Sequence, residues 1–353
     1  MVISRYFLLS LAVIAIGLNP GNAPAEVGSD TKPAPTTASD QPGQSDQRVQ
    51  DVGFRLVSAN APFCSETISR GGLTIAEHGL GWIVSPDLGR DRPIVPMTEQ
   101  EAKTHLPLVG TVAMNGPADE AGLLAGDRIS AINGQLTPAL SYIEILSDGQ
   151  HRLKNPVNVV SGYLDQQFSS GVTRLLIFRD GKDMELSISP TKTCRSWFQT
   201  VHGKKRIASA DGNWVTIGSP LIDFMQSDDE LAAVIAHELA HNLLKHKERL
   251  NAQKVNRGFF GQFGKSAGRI KQAEIEADRL SVWLMKNAGF EPQAAIRFWT
   301  RYGKQHGKGI FSASTHYRWK KRVKLFEEEI AKIETAEIVD GKVSPPLLAI
   351  PAQ

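Results

Sequence analysis

Val234-Ile235-Ala236-His237-Glu238-Leu239-Ala240-His241 decides how the rest of this chain is read, because it sets two imidazoles and a carboxylate on one predicted helix. Successive helical residues turn by about 100°, so side chains four apart return to nearly the same face. His237 and His241 can therefore grip one metal ion together. Glu238 lies one step round the helix, near enough to reach a water on that ion without being a ligand. The flanks agree with a helix. Ser227-Asp228-Asp229-Glu230 reads as a capping box with acids in the first turn, and Leu231, Val234, Ile235, Leu239 and Leu243 form an apolar face. Such spacing also arises by accident on a half-buried helix, so the reading turns on a third ligand elsewhere.

Two histidines leave a tetrahedral zinc one protein ligand short, with a fourth position kept open for water. A predicted helix over residues 270–284 offers Glu274 and Asp278, four apart on one face, while Glu276 points elsewhere. Glu274 is read as the third ligand. Asp278 is read as acceptor for the outward N–H of a ligand imidazole, which fixes its tautomer. The expected cofactor is one Zn²⁺ per chain. His246, five residues past His241, falls off the shared face and reads as structural. No H-x-x-G-x-x-H follows His241, which excludes the metzincin pattern.

The chain has 353 residues, 41% hydrophobic and 22% charged, enough for two domains with their own cores. Its net charge of +3 gives no reason to expect a nucleic acid partner. Lys320-Lys321-Arg322 reads as a solvated face, with Arg322 as an exception taken up below. Residues 1–25 read as a signal peptide: Arg5 closes a basic stretch, an apolar run follows from Tyr6 to Leu18, and Ala23-Pro24-Ala25 offers a cleavage site. The apolar run is shorter than the roughly 20 residues a spanning helix needs, so export, in the style of a bacterial periplasm, is favoured over an uncleaved anchor. No other stretch is apolar enough to span a bilayer. Cys64 and Cys194 are the only cysteines, and export makes a disulfide the natural expectation, with two separate thiols as the alternative.

Residues 26–50 are polar and proline-rich and read as a disordered leader. From Leu108 short apolar runs alternate with glycine turns: Gly122 ends a short helix, Gly126-Asp127 precedes a strand, and Asn133-Gly134 signals a hairpin. This stretch resembles a PDZ domain, and Leu175 to Ile188, turning at Asp180-Gly181, resembles its closing hairpin. The resemblance implies that Gly79-Leu80-Gly81-Trp82 is the loop whose backbone N–H groups hold a peptide's C-terminal carboxylate; a plain turn is the alternative. Residues 137–171 exceed the usual PDZ connector, which points to an insertion. Trp214-Val215-Thr216-Ile217 reads as an edge strand beside the metal helix, either pairing with an extended substrate or only packing. Residues 256–268 hold four glycines with Phe259, Phe260 and Phe263, a loop open to substrate, membrane or its own domain.

Residues 207–323 resemble the M48 family of zinc metallopeptidases. The resemblance rests on His237-Glu238-Leu239-Ala240-His241, on Glu274-Ile275-Glu276-Ala277-Asp278, and on Ser314-Thr315-His316 with Arg322 six residues further on. It implies that His316 lies over the zinc, either steadying an oxyanion or filling the open position in a latent state, with Arg322 supporting it. Tyr317 stands where the family commonly has proline. The fold class expected is α+β: a β-rich PDZ-like domain over residues 51–195, then a mainly helical peptidase domain over 196–340 with a small edge sheet, and a tail over 341–353. The implied chemistry is peptide-bond hydrolysis with Glu238 as general base, acting on protein or peptide substrates that the PDZ-like domain selects or positions. The competing class is a peptide-binding scaffold with a latent or inactive peptidase domain.

Overall fold

The structure is a computed structural model and describes residues 42–76, 106–137, 143–145, 151–153, 156–255, 264–306 and 319–348. Its first element, helix α1 (Pro42–Ala59), runs through residues 42–50, which composition assigns to a disordered leader. The correction has a physical cause. Val49, Val52, Leu56 and Val57 recur at helical spacing and are buried in the larger of two hydrophobic cores. Composition reports only what a segment can bury by itself; here a partner elsewhere in the chain supplies the apolar contact.

The smaller core belongs to the PDZ half. Strands β1 (Thr67–Arg70), β2 (Leu73–Ile75) and β3 (Val109–Val112) lead to a single-turn helix α2 (Pro117–Glu120) and to β4 (Arg128–Ile132) and β5 (Gln135–Leu136). The long connector expected as an insertion holds the hairpin β6 (Ile143–Ile145) and β7 (His151–Leu153) and a helix α3 (Pro156–Ser170). Strands β8 (Thr173–Arg179) and β9 (Lys182–Ile188) complete a four-stranded antiparallel sheet in the order β5-β4-β8-β9. Along β8, Thr173, Leu175 and Ile177 turn inward, so the period of two buries one face on Val160, Leu164 and Phe168 of α3. At Asn133-Gly134 and Asp180-Gly181 both residues have positive φ, the backbone that two-residue hairpins require.

The larger core belongs to the helical half. Strand β10 (Thr191–Cys194) pairs with β1 and ends at Cys194, which is bonded to Cys64 across a Cα separation of 5.5 Å. Three strands follow, β11 (Trp197–Val201), β12 (Ala208–Ala210) and β13 (Trp214–Gly218), then a short helix α4 (Ser219–Ile222). The sheet order is β11-β13-β12, so the strand expected at an edge is central. Its backbone is committed to a parallel neighbour on one side and an antiparallel one on the other. Val215 is fully buried, and Trp214 stacks on Trp197 with ring centroids 6.0 Å apart. Trp214, Val215 and Thr216 therefore cannot add a substrate strand; the edges are β11 and β12.

Helix α5 (Asp228–Leu243) passes behind this sheet and is buried from Glu230 to Asn242. The expected one-sided helix is instead enclosed, because α1, α7 (Gly264–Asn287) and α8 (Gln293–His306) also pack on it. Its capping follows the sequence at Ser227, whose Oγ accepts from Glu230 N, while the Glu230 carboxylate accepts from Gln226 N, one residue before the cap, in place of the Ser227 N–H of a capping box. A short helix α6 (His246–Ala252) precedes α7, and α9 (Trp319–Glu334) closes the bundle. The expected tail is also revised at its start. The hairpin β14 (Ile338–Val339) and β15 (Lys342–Val343) buries Val343, whose N–H and C=O both meet the Asn287 side chain.

Candidate metal centre

Helices α5 and α7 cross so that His237, His241 and Glu274, all buried, bring one ligand atom each within 4.8 Å of one another. The two Nε2 atoms lie 3.3 Å apart, and each is 3.6 Å from a Glu274 oxygen. Tetrahedral zinc with bonds near 2.0–2.1 Å needs its ligand atoms about 3.4 Å apart, a spacing that the two Nε2 atoms meet and that each Glu274 oxygen approaches toward one of the two rings. The outer nitrogens fix the tautomers. His237 Nδ1 is 2.9 Å from Asp278 Oδ1, and His241 Nδ1 is 2.9 Å from His246 Nδ1. With protons on those outer atoms, two nitrogen lone pairs and a carboxylate face one point away from water. Such a set is repulsive without a cation, and these residues fit a divalent metal.

Without a metal the same repulsion appears in the protonation of the rings. Burial and the Arg322 charge push His237 down, but hydrogen bonds to Asp278 and Glu274 prevail and raise it to about 9. His241 is driven the other way, to about 3, chiefly by burial, with its neighbour His237 adding to the effect.

Glu238 is buried on α5 beside His237. Arg322 on α9 is buried although Lys320 and Lys321 next to it are exposed. Its Nη2 donates to Asp278 Oδ1, and its guanidinium lies 3.5 Å from the Trp299 ring centroid. The resemblance to the third motif sets Arg322 behind His316; among the described residues it holds Asp278, the partner of His237. His316 and the stretch Gly79 to Trp82 lie outside the described residues. Trp299, with its ring centroid 6.2 Å from that of His237, carried no motif to mark it. Nor did His246: no glycine or proline announces that α5 ends before it.

A buried His-His-Glu cluster on crossing helices, with a glutamate after the first histidine, is a donor set of the kind zinc peptidases use, and a PDZ-type sheet precedes it in the chain. Residues 208–271 match the model of peptidase family M48, and residues 108–153 match that of the PDZ domain, so the chain carries both domains in that order. The M48 match ends before Glu274, whose place in the cluster rests on the geometry above. Among curated relatives, the mitochondrial metalloendopeptidase OMA1 of Schizosaccharomyces pombe is 31% identical over 138 residues, covering 33% of this chain and 41% of the relative. A putative beta-barrel assembly-enhancing protease of Vibrio cholerae is 24% identical over 242 residues, covering 61% of this chain and 44% of the relative. The OMA1 of Saccharomyces cerevisiae is 30% identical over 119 residues, covering 28% and 34%. The chain thus spans less than half the length of these relatives.

Proposed function

We propose that this protein is an exported zinc-dependent endopeptidase of protein quality control in the cell envelope, with its PDZ domain selecting or positioning substrates. The observation that carries the reading is the triangle of His237, His241 and Glu274 with Glu238 beside it. Zinc held by those three residues would polarise a scissile carbonyl and make water a nucleophile near neutral pH. Glu238 then takes the proton of the attacking water on its carboxylate and returns it to the leaving amine. Asp278 keeps the His237 Nδ1 proton in place, with Arg322 holding Asp278. His316, by its resemblance to the family's third motif, steadies the developing oxyanion with Arg322 behind it. An extended substrate adds to the sheet at β12, an edge strand that packs on α5, rather than at the central β13. The apolar run near the start supports export. No described helix is long and apolar enough to cross a membrane.

The test is metal analysis joined to degradation of an unfolded protein. The purified chain should hold about one zinc, His237→Ala and Glu274→Ala should lose it, and Glu238→Gln should keep it while cleavage falls by a factor of at least about 10². Undiminished cleavage by Glu238→Gln would remove the general base. A scaffold with a silent peptidase half would bind peptide C-termini with wild-type and Glu238→Gln chains equally inactive.

A further inference from the structure

His246 follows His241 by five residues, an offset that on a continuous helix would turn it well away from the metal face. The helix is not continuous. Lys245 adopts the left-handed region (φ 52°, ψ 38°), an unfavourable backbone for a residue with a Cβ, and the chain restarts as α6 with His246 folded back against His241. The two rings meet edge to face with centroids 4.8 Å apart. His246 is buried, its Nδ1 on His241 and its Nε2 3.1 Å from Glu276 Oε2. Glu276 is held in turn by Arg249 Nη1 at 2.7 Å and by Gln272 Nε2 at 3.1 Å.

We infer that His246 and Glu276 form a positioning relay that fixes His241 as an Nε2 metal ligand; the inference rests on the metal-centre reading proposed above. Coordination through Nε2 leaves the one proton of a neutral His241 on Nδ1, so that atom donates. His246 Nδ1 must then offer a lone pair. A neutral His246 keeps its own proton on Nε2, and that atom donates to Glu276. The hydrogen bonds therefore have only one consistent direction, from the metal face outward to a carboxylate that Arg249 and Gln272 hold in place. Neither His246 nor Glu276 contributes an atom to the ligand triangle. Each acts through the residue before it in the relay, and Glu276 does so from the side of α7 turned away from Glu274 and Asp278.

The experiment measures zinc affinity of the full chain by competition with a chelator, beside circular dichroism of each metal-free variant. His246→Phe keeps a planar ring but accepts no hydrogen bond, and should weaken zinc binding about 10–100-fold, the usual effect of losing an outer partner of a ligand histidine. His246→Asn places an oxygen where Nδ1 stood and should remain within about threefold of wild type, a rescue that a merely space-filling role would not give. Glu276→Ala leaves His246 free to change tautomer and should fall between the two. Because Glu276 is partly exposed, this variant reads the relay even if His246→Phe does not fold. Wild-type affinity in His246→Phe, or equal losses in the Phe and Asn variants, would overturn the acceptor role of His246. Unchanged affinity in Glu276→Ala would overturn the outer step. A wild-type chain that binds no zinc would sink the metal-centre reading itself, a different failure from either of these.

Discussion

The two histidines of α5 stand one turn apart, yet their surroundings are opposite in character. His237 leans on a charged cluster closed inside the protein: Asp278 is fully buried, Arg322 donates to it, and Trp299 covers the guanidinium. His241 leans on a neutral ring, and its carboxylate comes one step later, at Glu276, held by an Arg249 side chain that is 48% exposed. A buried charge pair binds metal geometry to folding, because neither charge tolerates the loss of the other. A relay that leads outward separates the two, since its last member already sits in water. Damage on the His237 side should therefore unfold the protein as well as empty the site. Damage on the His241 side should empty the site first.

The largest effect expected from this contrast is at Asp278. Asp278→Ala leaves the buried Arg322 charge without its carboxylate, with only the Trp299 ring and His237 Nδ1 beside it, and should destabilise the metal-free fold by about 3–5 kcal/mol, read by denaturant unfolding. A loss below about 1 kcal/mol would erase the distinction between the two sides.

Glu230, at the far end of the same helix, sharpens the contrast as a buried acid–arginine pair with no metal near it. Both Glu230 oxygens accept from Arg301, at 2.6 and 2.5 Å, and Glu230→Gln should lose about 2–3 kcal/mol of stability while a folded variant keeps its zinc affinity. Its pH dependence has a definite sign. Burial pushes the Glu230 carboxyl up, but hydrogen bonds from Arg301 and Gln226 N pull it further down, leaving it below the ordinary value. Stability from the pair is thus complete above the unfolded carboxyl range near about 4.3 and is lost as pH falls through the lower folded value. Melting curves of wild type and Glu230→Gln should converge as the pH is lowered through that window; a constant gap would refute the assignment. The smallest effect belongs to the outer end of the His241 side. Arg249→Ala removes an exposed partner of Glu276 and should change stability by less than about 1 kcal/mol in thermal melts.

Helical and strand periods carried much of this molecule in the sequence. Residues four apart put His237 with His241 and Glu274 with Asp278, and the hairpin dipeptides Asn133-Gly134 and Asp180-Gly181 stand where the backbone needs positive φ. These are short-range rules, and they hold as long as the element they assume is unbroken. His246 shows the limit. Its offset is meaningful only on an intact helix, and the turn at Lys245 cancels it. Residues 42–50 differ for a related reason: their polarity says nothing of the surfaces on α5, β3, β10 and β11 against which α1 packs. The position of β13 was closed to local reading on one side: β12 adjoins it across a short turn, but the pairing with β11 leaves no mark in Trp214 to Gly218 themselves. Which side chains could share a metal, and on which elements they ride, follows from residue order alone. Which groups stand behind them depends on where separate helices cross and where one of them stops, and that is a property of the folded chain.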